Sequence, residues 1–171
     1  MTASRYFVGL ALAVLAHAVA ARWAPGLISY LDFFVVLTVL TALSGDPLQG
    51  LLGGFLVGNV QDSMTVGLFG LYGFANTLVG YVTAKIVQRI VIERAMGVFP
   101  MVAGAVLAQQ LIVLALTSIL LPSPPLPNPI HLVLRAVACG VLGSVLFALG
   151  GWWRGRSARR RRSRMDRVHL G

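Results

Sequence analysis

Apolar residues run along this chain in stretches too long for a soluble helix, and the charges and turn residues between them cut it into six segments. A helix that crosses a bilayer needs roughly 20 mostly apolar residues. The runs from about Tyr6 to Ala21, Leu27 to Leu43, Pro47 to Gln61, Leu68 to Val87, Val98 to Leu121 and Ile130 to Trp153 reach or approach that length. A tight SGDP turn parts the second from the third. The segment SPPLPNP at 123–129 rules out helix between the fifth and sixth, because each proline removes an N–H and drives the residue before it to extended geometry. The expected architecture is an all-α integral membrane bundle of six transmembrane helices over residues 1–153, followed by a separate tail at 154–171. Trp152 and Trp153 suit the headgroup level where the sixth span ends.

Composition agrees: of 171 residues 57% are hydrophobic and 11% charged, with a mean hydropathy of +0.84, which excludes an ordinary water-soluble domain. The net charge of +9 describes the tail, where Arg154, Arg156, Arg159, Arg160, Arg161, Arg162, Arg164 and Arg167 all fall. Such a run near an anionic leaflet gains about 1 kcal/mol per arginine, so these residues are expected along the lipid surface, with orientation signalling as the plainer role. Short cytoplasmic loops hold the excess of Lys and Arg. Placing both termini in the cytoplasm puts Arg5, Lys85, Arg89, Arg94 and the tail on one side and Arg22 on the other, and requires an even number of spans. The first run also resembles a secretory signal in Arg5, the apolar stretch and AHAVAA; cleavage there would leave five spans, and retention is the preferred reading.

Small residues mark the faces that pack. Without a strong hydrophobic drive between helices in lipid, association depends on close approach, which small residues at i and i+4 permit. The third span carries Gly50, Gly54 and Gly58; the fourth Gly70, Gly73, Thr77, Gly80 and Ala84; the sixth Ala136, Gly140, Ser144 and Ala148. At about 100° per residue Gln61 projects onto the middle of the Gly50 stripe and Asp62 onto its edge. With Asn59 they form a polar trio in hydrocarbon, expected either to hold helices together or to bind a partner. Asp62 could equally sit at the start of the fourth span, where the helix dipole favours negative charge. Asp32 and Arg135 each lie five residues, about 7 Å, into their spans from the same side, and are expected to pair because either alone would be a costly buried charge. Snorkelling of Arg135 to the headgroups is the alternative. Cys139 is expected only to pack.

No catalytic constellation assembles. His17, His131 and His169 are scattered, no metal-ligand spacing occurs, and neither a nucleophile elbow nor a phosphate loop is present. Asp32 with Asp46 only loosely suggests an intramembrane aspartyl pair, since Asp46 falls in a turn. No enzyme, cofactor, metal or nucleic-acid ligand is expected. A pump would want ionisable groups near the midplane. The outer positions of Asp32, Asp62 and Arg135 suit instead a substrate-capture subunit of a small-molecule transporter, which is the competing function.

The run DFFVVLTVLTALSGDPLQGLLGGFLVGNVQDSMTVGLFGLYGFANTLVGYVTAK resembles the centre of the bacterial rod shape-determining MreD family. An Asp opens the second span; a Gly-rich turn, G-x-x-x-G-F-x-x-G-x-x-Q-D, G-x-x-G and L-V-G-Y follow in order. Here Leu31 precedes Asp32, where that family tends to have proline. The resemblance implies a non-enzymatic scaffold of the cell-elongation (rod) complex in the bacterial inner membrane, supporting peptidoglycan synthesis. It would bind MreC and, through it or directly, MreB filaments, RodA and a class B penicillin-binding transpeptidase. It also implies a fold similar to the six-span substrate-binding subunits of energy-coupling-factor vitamin transporters. Asp62 with Gln61, and Asp32, carry over as structural or partner-binding positions.

Overall fold

The computed structural model describes residues 3–24, 26, 29–65, 68–89, 95–121 and 128–168, and of residues 3, 5, 95, 96 and 153–168 the backbone alone. Among them are six helices: α1 (Ala3–Trp23), α2 (Phe33–Ala42), α3 (Pro47–Met64), α4 (Leu71–Val87), α5 (Ala95–Leu120) and α6 (Pro129–Val168). Three are long and apolar enough to cross a membrane, over Tyr6–Trp23, Gly97–Leu120 and Pro129–Trp152. The expected breaks at Arg94 and through residues 123–127, the first residues of the expected second span and the tail side chains lie outside the described residues.

The second segment departs most from expectation. A continuous helix from Leu27 to Leu43 is replaced by ten residues beginning at Phe33. Asp32 is extended (φ −112°, ψ 94°) and its carboxylate accepts from the N–H groups of Phe34 and Val35, which fixes the helix start there. Asp32 therefore stands just before the helix and not five residues inside it. At 1.5 Å per residue α2 is about 15 Å long, half the hydrocarbon thickness. Eight of its ten residues are buried, and it contacts α1, α3, α4, α5 and α6. An all-round apolar helix belongs in the middle of a bundle, and that is where α2 lies. One side packs with Tyr6, Ala13 and Val57 of α1 and α3 through Phe34 and Leu37. The other builds a core rich in valine, in which Val35, Val36 and Val39 meet Val79, Val98, Val102 and Val106.

The SGDP turn forms as the sequence suggests. Gly45 takes φ +76°, and Asp46 caps α3 through Leu48 and Gln49 with Pro47 at its first position. From there α3 runs against α4 at near backbone contact. A β-carbon on Gly50 would strike the Gly80 carbonyl, one on Gly54 the Asn76 carbonyl, and one on Gly58 the Tyr72 carbonyl and the Gly73 Cα. Gly80 faces the Gly50 carbonyl in return. The stripes of the two spans are thus two sides of one seam. Gly70 stays outside it, with open space about it.

On α6 the expected stripe is rotated. Ala136, Cys139, Gly140 and Gly143 are buried, Ser144 is half-buried with its hydroxyl returned to the Gly140 carbonyl (2.9 Å), and Ala148 is exposed. Strict i+4 steps advance about 40° each, so after three of them a residue has left the face by about 120°. A buried stripe on a straight helix alternates steps of three and four. Gly140 accommodates the Phe99 ring of α5, 2.9 Å from a notional β-carbon, and Gly143 the Val102 methyl, at 2.7 Å. The helix also continues past the expected end at Trp153 to Val168, so the backbone joins bundle and tail without a break. Arginine is a good helix former, and no proline follows Pro129.

Gly54→Ala should force α3 from α4 and lower stability by about 1–3 kcal/mol, the range for overpacking. Gly104→Ala on α5, where a β-carbon meets nothing within 4 Å, should leave it unchanged or slightly raised. Thermal unfolding in detergent compares them; equal shifts would contradict the seam. Gly54→Leu should cost more than Gln61→Leu.

Candidate functional site

The buried carboxylates and amides, Asp32, Gln61, Asp62, Asn76 and Gln109, lie toward the N-terminal end of α2. Asp32 is 2% exposed. Its Oδ1 accepts from the N–H groups of Phe34 and Val35 (both 3.1 Å), and its Oδ2 from Gln61 Nε2 of α3 (2.9 Å) and Arg135 Nη2 of α6 (2.5 Å). A carboxylate offers about four lone-pair sites, and all are used. Its own N–H points to Cys139 Sγ at 3.1 Å, so Cys139 is core and weak acceptor at once. The expected Asp32–Arg135 pair forms, with the two side chains 1% and 20% exposed.

From Asp32 the hydrogen bonds continue inward. Gln61 Oε1 accepts from Asn76 Nδ2 of α4 (2.8 Å) and, more weakly, from Gln109 Nε2 of α5 (3.4 Å); Gln109 Nε2 also donates to Asn76 Oδ1 (3.2 Å). Gln61, Asn76 and Gln109 are buried. Five helices, α2 through α6, therefore meet through one polar network. Its polarity is dictated from one end. The carboxylate can only accept, so Gln61 must turn its NH2 toward Asp32 and its carbonyl toward α4 and α5. At the far end Gln109 Oε1 has no partner among the described residues.

The other two members of the trio do different work. Asp62, 6% exposed, accepts from the N–H of Tyr72 through Oδ1 (3.0 Å) and of Gly73 through Oδ2 (2.7 Å). These are the second and third residues of α4, whose own N-cap is Gly70 at φ +101° with no side chain to offer. The cap is borrowed from the neighbouring helix, and the carboxylate meets the positive end of the dipole. Asn59 returns Nδ2 to the Phe55 carbonyl on its own helix (2.8 Å) and stays partly exposed. Asp32 and Asp46 cap different helices at opposite ends of α2, so they do not face each other as an aspartyl pair would. Among the described residues no cluster of three His, Cys, Asp or Glu could hold a metal ion.

Asn76 and Gln109 are the network members that sequence reasoning missed. Each is a lone amide in an apolar run, and the argument applied to Gln61, that hydrocarbon makes such groups costly, applies equally to them. Asn76 adjoins Thr77, which was assigned to the packed face; the contact lies one residue, about 100°, away.

The family model of the rod shape-determining protein MreD matches residues 3–124 of this chain. That stretch holds α1 to α5 with Asp32, Gln61, Asp62, Asn76 and Gln109, and ends before α6 and Arg135. No curated protein and no solved structure matches the chain.

Removing Arg135 strands a buried carboxylate, so Arg135→Gln should destabilise by about 3–5 kcal/mol, whereas Asp32→Asn leaves a guanidinium that is 20% exposed and should cost less. The double variant Asp32→Asn with Arg135→Gln should recover part of that loss. Gln61→Leu, which strands donors on Asn76 and Gln109, should cost about 1–3 kcal/mol. Equilibrium unfolding of the wild type, the single variants Asp32→Asn and Arg135→Gln and their double variant in one detergent gives the coupling energy; purely additive losses would mean the pair carries none.

Proposed function

The chain belongs to the rod shape-determining protein MreD family, and from that premise we propose that it is a non-enzymatic membrane scaffold of the rod complex. In this reading it binds MreC, supports peptidoglycan synthesis during elongation, and contacts RodA, the class B transpeptidase and MreB filaments directly or through MreC. It crosses the inner membrane six times with both termini cytoplasmic, α2 making a short crossing sheltered by its neighbours. Trp23 at the end of α1 and Trp152 on α6 are largely exposed, at 83% and 58%, and suit the two opposite interfaces that this topology gives them.

The observation that carries the reading is how the polar groups are used. The carboxylates of Asp32 and Asp62 and the amides of Gln61 and Asn76 are engaged with backbone N–H groups or with one another, which fixes helices against helices. A capture subunit needs a cavity with several convergent polar groups. The groove of about 340 Å³ between α4 and α5, bounded by Leu78, Val82, Met101 and Ile112, is almost wholly apolar, and one of about 320 Å³ lined by Tyr6, Thr41 and Gln49 holds none of the Asp32 network, which favours the scaffold over transport.

Co-expression with MreC and native mass spectrometry of the complex from membranes should show a stoichiometric partner and no small polar ligand. A vitamin-sized ligand retained without MreC would favour capture. Deleting residues 156–171 should leave orientation unchanged and disperse MreB; inverted topology would assign the arginines to orientation alone. Asp62→Ala should lower stability by about 1 kcal/mol through the lost cap, and any loss of MreC should track that destabilisation.

A further inference from the structure

We propose that His131 and Arg135, one turn apart on α6, bind the phosphodiester of a membrane lipid at the end of the bundle where α2 and α4 begin. A guanidinium has five N–H donors. Arg135 spends Nη2 on Asp32, while its Nε is buried without a partner among the described residues. Asp32 cannot take more, since its acceptor sites are filled by Phe34, Val35, Gln61 and Arg135 itself. Nε itself is enclosed, but the side chain as a whole is 20% exposed, so an acceptor from outside can reach the guanidinium through its other N–H groups. His131 is exposed and stacked flat on Tyr30, with centroids 4.9 Å apart and planes 12° from parallel, which holds its ring in place beside that opening. Residues four apart on a helix stand about 5–6 Å from one another at Cβ, a gap that one phosphate bridges. Arginine's planar fork suits phosphate oxygens.

The charges choose the source of the phosphate. Asp32 and Arg135 cancel, and Asp62 is engaged with α4, so the site offers directed donors and little net positive charge. Such a site competes poorly with bulk water for free phosphate. A lipid delivers its phosphate already at this depth, with acyl chains to lay on the protein. Leu134, Val141 and Val145, each about half exposed, form a strip roughly 80–120° around α6 from Arg135 that can receive one. The inference is independent of the scaffold reading and assigns the site to lipid and not to a protein partner.

Native mass spectrometry of the full chain in detergent, with phosphatidylglycerol, a phosphate-free glucosyl diacylglycerol, and inorganic phosphate as competitor, tests it. The arginine tail is common to every variant, so the readout is the fraction of lipid adduct that changes at this site. Phosphatidylglycerol should be retained over the glycolipid by about tenfold, falling about threefold in His131→Ala and about tenfold in Arg135→Lys, which keeps a cation for Asp32 but loses the fork. His131 touches no network member, so His131→Ala, which loses the ring stack on Tyr30, should fold with a melting temperature lower by a few degrees at most and remains decisive if the Arg135 variant fails to fold. Equal retention of both lipids, an unchanged adduct in His131→Ala, or displacement of phosphatidylglycerol by millimolar inorganic phosphate would each overturn the proposal.

Discussion

One carboxylate that can only accept hydrogen bonds organises the interior. Asp32 starts α2 by taking its first N–H groups, and with its second oxygen it draws Gln61 from α3 and Arg135 from α6 to one point. Because Gln61 must face it with its NH2, the amides of Asn76 and Gln109 have no freedom to reverse. Buried hydrogen bonds that orient each other specify a single arrangement more than they stabilise it, since each also carries a desolvation cost. The two terms are of similar size in lipid, where an interhelical hydrogen bond averages about 0.6 kcal/mol. What the network decides is which helix meets which, and at what height.

That geometry is reachable only because α3 and α4 touch backbone to backbone. Gln61 and Asp62 have short reaches; with side chains larger than hydrogen at Gly50, Gly54 and Gly58, the Asn76 amide and the N–H groups of Tyr72 and Gly73 would recede from both. The glycine seam and the polar trio are thus parts of one device. The seam sets the distance, Gln61 ties α3 across to α4 and α5, and Asp62 completes the terminus of a helix whose own N-cap is a glycine.

Much of this was legible in the sequence, for identifiable reasons. Periodicity located the Gly50 stripe and placed Gln61 on it, since both follow from 100° per residue alone. Opposite charges near the same end of their segments foretold the Asp32–Arg135 pair, although Asp32 lies before its helix and not inside it. The length of α2 was not read from the sequence: the segment from Leu27 to Phe33 is apolar apart from Ser29 and Asp32, and mean hydropathy does not register that the carboxylate there sets the helix start. Neither was the rotation of the α6 face, because counting in fours accumulates drift that only packing against Phe99 and Val102 corrects. Asn76 and Gln109 were visible as residues but silent as partners, since a lone amide in an apolar run does not announce which helix it will meet.

The position of Arg135 gives α6 a mechanical consequence. This helix runs unbroken for 40 residues, about 60 Å, from the end where Asp32 lies to the arginine-rich segment. Its polar ties to the rest of the bundle include the ion pair at Asp32 and the contacts of Cys139 with Asp32 and Tyr30, and its apolar ties include the seating of Phe99 and Val102 at Gly140 and Gly143. Those seats set where Arg135 stands against the carboxylate that caps α2 and orients Gln61. Small displacements there are resisted by close packing until contacts exchange as a set, because a packed interface yields in steps and not by continuous deformation. The helix thus joins the Asp32 end of the bundle to the arginine-rich segment through contacts that hold as a set.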